Sequence, residues 1–249
     1  MGRRVLGALV VLVAVAALTA CGGTSPPGAG DVGYLDAATG VSPREDGVAS
    51  AVLPDSMRGA NMLLAIATGD GPDNPAAQRS VLTDTGRHTW TLAVHHIVFG
   101  SIIDVYTAPA NGAEAGTAVS SELTIKRGDE GHALAVMAYR NGRLGPTAER
   151  NGNFGLPQLT ADVPAGHDVI TVFGDGRQNA PVTLVPGFRP VLVFPVDGGP
   201  GGDQDLYQVS HLDPPGSAPG GPMLTGNTGP PGSGYWGLVD VTVGPATSP

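Results

Sequence analysis

Short apolar runs rich in Val, Ile, Thr and Leu follow one another along the middle of the chain, and Gly, Pro, Asp and Asn separate them. Runs of this length between turn residues are typical of β-strands. We find no window of ten or more residues with a clean helical period of apolar positions. The pattern therefore predicts an all-β fold with strands at 61–68, 79–82, 89–99, 102–107, 122–126, 133–140, 159–163, 168–173, 182–185, 191–195, 206–210 and 236–243.

Strands at this spacing, with turn signals between them, favour a β-sandwich of immunoglobulin-like type. An internal similarity raises the question of one domain or two. "LLAIATGDGPDNP" (63–75) resembles "DVITVFGDGRQNAP" (168–181), about 100 residues later. Duplication of one β unit would explain the similarity, but Gly-Asp-Gly is also a common turn signal that chance can repeat. We therefore expect either one domain or two diverged tandem repeats.

Glycine and proline, at 39 and 23 residues, make up about a quarter of the chain and are densest in 22–30 and 214–234. Flexible segments are rich in these residues, whereas a core needs apolar runs. This distribution predicts an organisation in five parts: a signal peptide (1–20), a flexible tether (21–47), a first β unit (48–100), a second β unit (101–212) and a Gly/Pro-rich segment with a closing strand (213–249).

The amino terminus has the features of an export signal. Arg3 and Arg4 precede fourteen apolar or small residues, 5–18, which are too few to span a membrane. The next residues, Leu18-Thr19-Ala20-Cys21, resemble the lipobox of bacterial lipoproteins. The resemblance implies cleavage before Cys21 and a diacylglycerol on its thiol. It also explains why an exported chain keeps a single cysteine, which cannot form an internal disulfide.

The charge of the chain narrows the choice of partners. Thirteen basic and 22 acidic residues give a net charge of −9, and loss of residues 1–20 removes two arginines, which makes it −11. An acidic chain without a basic patch does not bind nucleic acid, and anionic lipid head groups repel it. We therefore expect the lipid anchor to hold the protein at the cell membrane, on its extracytoplasmic face, with an envelope protein or a wall component as partner.

A second resemblance concerns the β region. His95 is followed after eight residues by Asp104-Val105-Tyr106, and a later strand opens with Pro164-Ala165-Gly166. These elements are similar to a repeat found in exported bacterial surface proteins. The resemblance covers about 100 residues and implies a β-sandwich domain, often in tandem, of unknown function. That family has no agreed catalytic residues, so the resemblance implies fold and location rather than chemistry.

Among the histidines, His95 is the candidate metal ligand. Its neighbour His96 must point to the opposite face of a strand, so the two rings cannot share a metal without a bulge. No His-x-His or His-x-x-x-His spacing occurs here. The alternative is a hydrogen-bonded structural histidine, and we expect the remaining histidines to be turn or surface residues. Asp104 is the residue that would complete a site with His95.

Acidic, glycine-rich turns are a second candidate site. Oxygen ligands on such loops suit calcium, although the spacing differs from that of an EF-hand. The alternative is that Asx side chains stabilise the turns by bonding their own backbone. The candidate residues are Asp70, Asp73, Asp175, Asp203 and Asp205.

Aromatic residues offer a third possibility. Tyr235 and Trp236 lie in "GYWG", beside flexible Gly/Pro sequence, where they would either close the core or contact a ligand. No Gly-x-Ser-x-Gly nucleophile motif occurs, and no glycine-rich phosphate loop ends in Gly-Lys-Ser/Thr.

The sequence thus predicts a lipid-anchored, non-catalytic surface module that binds a partner and needs no cofactor. The alternative is a lipoprotein that binds a small ligand or calcium, and an envelope hydrolase is the third possibility.

Overall fold

A computed structural model describes residues 31–42, 48–70, 78–98, 101–125, 131–175, 183–197, 204–229 and 232–246. Sixteen strands form antiparallel sheets in this part of the chain, and one short 3-10 helix (Asp55–Met57) lies among them. The strands are β1 (Gly33–Ser42), β2 (Val48–Val52), β3 (Met62–Asp70), β4 (Ser80–Asp84), β5 (Thr91–Val98), β6 (Ser101–Pro109), β7 (Ala118–Leu123), β8 (His132–Arg140), β9 (Gly142–Gly155), β10 (Gln158–Val163), β11 (Asp168–Asp175), β12 (Thr183–Leu184), β13 (Phe188–Asp197), β14 (Gln204–Leu212), β15 (Gly221–Gly229) and β16 (Gly232–Pro245).

The strands form two units with the same topology. In the first, a five-stranded sheet has the order β1-β8-β3-β6-β5 and a three-stranded sheet the order β2-β7-β4. In the second, the orders are β9-β16-β11-β14-β13 and β10-β15-β12. Adding eight to each strand number converts the first unit into the second. Eight antiparallel strands that alternate between two sheets in this way form a jelly roll.

The all-β sandwich prediction is confirmed, and the sandwich occurs in two units. Three details of the prediction are wrong. The strand order differs from the immunoglobulin order, which joins the first strand to the second. The units meet at Asn141, and not between residues 100 and 101, because β6 pairs with β3 of the first unit. Residues 33–42 of the supposed tether are a strand, as are 221–229 and 232–245 of the Gly/Pro-rich segment, and the last of these, β16, lies between β11 and β9.

The internal similarity falls on equivalent strands, β3 and β11, but not on equivalent residues. Aligning the two Gly-Asp-Gly segments pairs Ile66 with Thr171. Ile66 lies in the core between the two units, whereas Thr171 faces the three-stranded sheet of its own unit and donates to Asp240. A shift of one residue exchanges the two faces of a strand. The similarity therefore identifies the duplicated strand and misplaces its register.

The two five-stranded sheets pack face to face around the central core, so the molecule has four layers. The central core contains residues of both units, among them Ile66, Met137, Val172 and Val241. Separate cores lie between the five- and three-stranded sheets of each unit. Because both faces of the five-stranded sheets are covered, a strand such as β8 is buried at eight of its nine positions and reads as one apolar run.

The strands define two ends of the molecule. The chain enters β1 at Gly33, which pairs with Arg140, and β9 begins nearby at Gly142. We call this the entry end. The antiparallel pairings place the last residues of β1, β3, β5, β9, β11 and β13 at the opposite end, which we call the far end. A ten-residue strand such as β1 spans about 33 Å between the two ends.

Candidate functional site

The structure brings His95 and Asp104 together, on the paired strands β5 and β6. Nδ1 of His95 lies 2.5 Å from Oδ1 of the fully buried Asp104. Oδ2 of Asp104 accepts hydrogen bonds from the backbone N–H and the hydroxyl of Ser80, both at 2.7 Å. Nη1 of Arg79 donates to Nε2 of His95 at 2.5 Å. A guanidinium cannot accept a hydrogen bond, so Nε2 accepts and Nδ1 carries the proton.

This network ties the two sheets of the first unit together. The hydroxyl of Ser80 donates to Asp104 rather than to His95, so the residues lack the serine–histidine contact of a nucleophilic triad. The lone pair on Nε2 of His95, which a metal would need, is engaged by Arg79. Glu122, on β7, is exposed while Asp104 is buried, so these two carboxylates do not face each other across a common site.

His96 points to the opposite face of β5 and joins the two units. Its Nδ1 lies 2.8 Å from a carboxylate oxygen of Glu149 and its Nε2 2.8 Å from the amide oxygen of Asn151, both on β9. The amide nitrogen of Asn151 donates to the carbonyl of Ile97 at 2.9 Å, which fixes the orientation of the amide. Both ring nitrogens of His96 therefore face acceptor oxygens of β9.

The acidic candidates that the structure describes lie at or next to the ends of strands, at the far end of the molecule. Asp70 ends β3 and pairs with Ser101, and Asp175 ends β11. Asp205 lies on β14 next to Leu206, which pairs with Asp175. Asp73 and Asp203 lie outside the described residues, as does the lipid-attachment candidate Cys21. Among the residues that the structure describes, no group of three His, Cys, Asp or Glu side chains is arranged to hold a metal ion.

The two aromatic candidates have different environments. Trp236 is only 3 % exposed, and its indole N–H donates to the carbonyl of Phe154 at 3.2 Å. The guanidinium carbon of Arg150 lies 5.8 Å from the ring centre, within cation–π range. Gly152 makes room for the ring, since a Cβ there would lie 2.1 Å from it. Trp236 therefore closes the core, while Tyr235 is 39 % exposed.

Two apolar residues beside Tyr235 were not predicted from the sequence. Phe154, the next-to-last residue of β9, is 63 % exposed, and Leu156, in the connection to β10, is 42 % exposed. Tyr235 pairs with Asn153, the residue before Phe154. Phe154 has a φ of 56°, a left-handed conformation that is unusual for a bulky residue and common at functional sites. We call Phe154, Leu156 and Tyr235 the far-end tip.

The far-end tip lies beside the acidic strand ends. Asp175 pairs with Trp236, the neighbour of Tyr235, so only β16 separates Asp175 from the β9 strand that ends near Phe154. Adjacent strands are about 4.8 Å apart, which puts the end of β11 about 10 Å from the end of β9. The far-end tip therefore lies next to the strand end that carries Asp175.

Histidines outside β5 are more buried than the sequence suggested. His88, His132 and His211 were expected on turns or on the surface, and all three are buried. Nδ1 of His88 lies 3.2 Å from Oδ1 of Asp84, and Nε2 of His132 lies 3.0 Å from the Ser121 hydroxyl. His132 begins β8 and His211 lies on β14, while His88 lies between β4 and β5, and burial of these positions by neighbouring strands left no signal in the local sequence.

Two buried aspartates have raised pKa values. Asp168 accepts a hydrogen bond from the hydroxyl of Tyr139 at 2.8 Å, and burial raises its pKa to about 7. Burial also raises the pKa of Asp240 to about 6. Near Asp168, burial and the positive charge of Arg189 lower the pKa of His211 to about 4. These groups pack inside the protein and do not line the far-end tip.

Comparisons with protein-family models, curated proteins and solved structures found no match. The resemblance to the surface-protein repeat thus gains no support, and its two elements fall in different units, with His95 and Tyr106 in the first and Pro164 in the second. A search of the described residues found no helix long and apolar enough to cross a membrane.

Proposed function

We propose that this chain is a lipid-anchored protein of the outer face of a bacterial cell envelope, and that it binds a partner without catalysing a reaction. The lipobox-like segment that ends in Cys21 supports the anchor. The far-end tip supports the binding role, and its exposure is the observation that carries the proposal. Single exposed apolar residues are common on protein surfaces, but a group at one end is typical of an interaction site.

The geometry supports a tip that faces away from the membrane. Asp31, the first described residue, lies ten positions after Cys21, so the connection spans at most about 35 Å. It leads directly to the entry end at Gly33. The fourteen residues of β9 run from the entry end to the far end and cover about 46 Å. An anchor at Cys21 therefore holds the entry end nearer to the bilayer and presents the far-end tip to the surroundings.

Membrane fractionation tests the anchor. The parent protein is expected in the membrane fraction. Its mass should equal that of the chain from Cys21 onward plus the acyl chains. The Cys21→Ser variant is expected to lose the lipid. A Cys21→Ser protein that still carries acyl chains, or a parent protein without them, would contradict the anchor.

Site-specific photo-crosslinking in whole cells tests the binding role. A benzophenone amino acid replaces Phe154 or Leu156 at the far end, and a matched variant carries it at Val52, which is 65 % exposed at the entry end of β2. We expect one discrete cross-linked product from the far-end positions and none from position 52. Equal yields at all three positions would count against a binding surface at the far-end tip.

A further inference from the structure

A buried contact between the two units lies at the entry end. The hydroxyl of Tyr139, on β8 of the first unit, donates to Oδ2 of Asp168, on β11 of the second unit, at 2.8 Å. The ring of Tyr34 packs on the imidazole of His211 with ring centres 4.7 Å apart, and it meets the Tyr139 ring edge-on at 5.7 Å. Tyr139, Asp168 and His211 are all buried. We call these four residues the entry-end cluster.

The imidazole of His211 lies close to the carboxyl group of Asp168 without bonding it. Nη2 of Arg189 lies 3.2 Å from Nε2 of His211, and a guanidinium can only donate, so Nε2 accepts and Nδ1 carries the proton. Nδ1 lies 4.0 Å from Oδ2 of Asp168, about 1 Å longer than a hydrogen bond. Among the residues that the structure describes, this nitrogen has no hydrogen-bond partner.

The carboxyl group of Asp168 has no arginine or lysine as an ion-pair partner in the described part of the chain. Burial raises its pKa to about 7, although the hydrogen bonds from Tyr139 and from the backbone N–H of Val169 act in the opposite direction. On β16, Val243 lies directly beside Asp168. The titratable and charged groups that face the cluster from the packed elements are Tyr34 and Asp36 on β1, Tyr139 on β8, Arg189 on β13, and His211 and Asp213 at the end of β14.

We propose that the entry-end cluster is a proton-dependent latch, which holds the two units together while Asp168 is neutral and loosens when Asp168 ionises. A neutral carboxyl group shares a hydrogen bond with the Tyr139 hydroxyl without placing a charge between the units. An ionised carboxyl group leaves an unpaired charge in the buried contact, which is costly. Water reaches this charge only when the two sheets separate at the entry end. The latch does not depend on the proposed function.

The direction of the pH dependence follows from the raised pKa of Asp168. The closed contact binds the proton more tightly than an open contact, in which the hydrated carboxyl group has its ordinary pKa near 3.8. The stabilisation of the closed contact is therefore fully present below about pH 4 and is lost as the pH rises through about 7. Between pH 6 and pH 8, the equilibrium constant for opening should rise about ten-fold.

The reactivity of a buried thiol measures this opening. In the mature chain with Cys21→Ser, Val243→Cys places a single thiol in the central core beside Asp168, and Val98→Cys places one in the same core at the far end. The rate of labelling by a methanethiosulfonate reagent, divided by the rate for a free thiol at the same pH, reports the opening. We expect about a ten-fold rise at position 243 between pH 6 and pH 8 and a much smaller rise at position 98.

Substitutions identify the group that titrates. Asp168→Asn removes the ionisation and should abolish the rise at position 243. Asp240→Asn makes the same change at a buried aspartate that contacts Thr225 of the three-stranded sheet, and it should leave the rise intact. Tyr139→Phe replaces Asp168→Asn if that variant does not fold, and it should steepen the rise because the carboxylate loses a donor. Melting temperatures verify that each variant is folded.

Three results would overturn the latch. Rises of equal size at positions 98 and 243 would indicate unfolding of the whole chain rather than opening at the entry end. A rise that persists in Asp168→Asn, or that is no steeper in Tyr139→Phe, would assign the titration to another group. The absence of any rise would show that the contact stays closed, and an imidazolium NMR signal from His211 at pH 8 would then identify the group that neutralises the carboxylate.

Discussion

The protonation of Asp240 gives a quantitative prediction. Asp240 lies in the interior of the second unit, where Oδ1 accepts from the hydroxyl of Thr171 at 2.9 Å and Oδ2 lies 2.6 Å from the hydroxyl of Thr225. The Thr225 oxygen is also 3.1 Å from the carbonyl of Leu159. A protonated Asp240 can therefore donate to Thr225, which then donates to Leu159. Replacement by Asn reproduces this pattern, with the amide N–H groups in place of the carboxyl proton.

The size of the effect follows from the raised pKa. Burial raises the pKa of Asp240 from an ordinary value near 3.8 to about 6, and the two threonine hydrogen bonds offset only part of this increase. A raised pKa means that the folded state holds the proton more tightly than the unfolded state. The corresponding stability is fully present below about pH 4 and is lost as the pH rises through about 6. A difference of about two pH units corresponds to about 3 kcal/mol.

The assay is urea unfolding of the chain from Gly22 onward, at pH 4 and at pH 7.5. Asp240→Asn should gain about 2–3 kcal/mol of unfolding free energy relative to the parent between these two pH values, slightly less than the full amount because the unfolded carboxyl is partly ionised at pH 4. Asp168 and His211 also titrate in this range, but they are present in both proteins and cancel in the difference. Asp162→Asn, at an exposed position of β10, is the control and should show no such gain. A difference between Asp240→Asn and the parent that stays constant with pH would refute the reasoning.

Three further predictions concern packing and the contact between the units. Gly152→Ala should lower the unfolding free energy by about 1–3 kcal/mol and shift the fluorescence of Trp236, because the new Cβ would lie 2.1 Å from the indole ring; unchanged emission would contradict this contact. His96→Ala should cost about 1–3 kcal/mol in urea unfolding, since it removes two hydrogen bonds between the units, to Glu149 and to Asn151, and no loss would show that these bonds add nothing. Asn227→Leu should raise the melting temperature, because the side-chain amide is buried and has no hydrogen-bond partner among the residues that the structure describes; a lower melting temperature would show that the amide is satisfied in solution.

The strands of the five-stranded sheets were the most predictable part of the fold. β3 and β8 bury both faces, so their sequences are nearly continuous apolar runs. The missed strands have the opposite character. β9 is mostly exposed and contains four glycines and a proline, and β15 begins with Gly-Pro. Pairing with neighbouring strands stabilises these segments, and this pairing cannot be predicted from the local composition.

The arrangement of units and sites depended on contacts between distant strands. The sequence similarity indicated a repeat, but the boundary at Asn141 follows from the pairing of β6 with β3 and could not be read from local patterns. The contact between His95 and Asp104 could be anticipated from their positions on successive strands. The exposure of Phe154 could not, because it depends on a left-handed backbone at the end of β9.

Distance from the bilayer tests the central claim, an anchored protein that presents its far end outward. In the lipidated chain on liposomes, Cys21 is blocked, so Val52→Cys and Phe154→Cys each introduce a single reactive thiol, one at either end. A dye on each thiol transfers energy to acceptor lipids in the membrane surface. The account predicts markedly stronger quenching at position 52 than at position 154, given strands that span about 33 Å or more between the ends. Equal quenching, or stronger quenching at position 154, would contradict it.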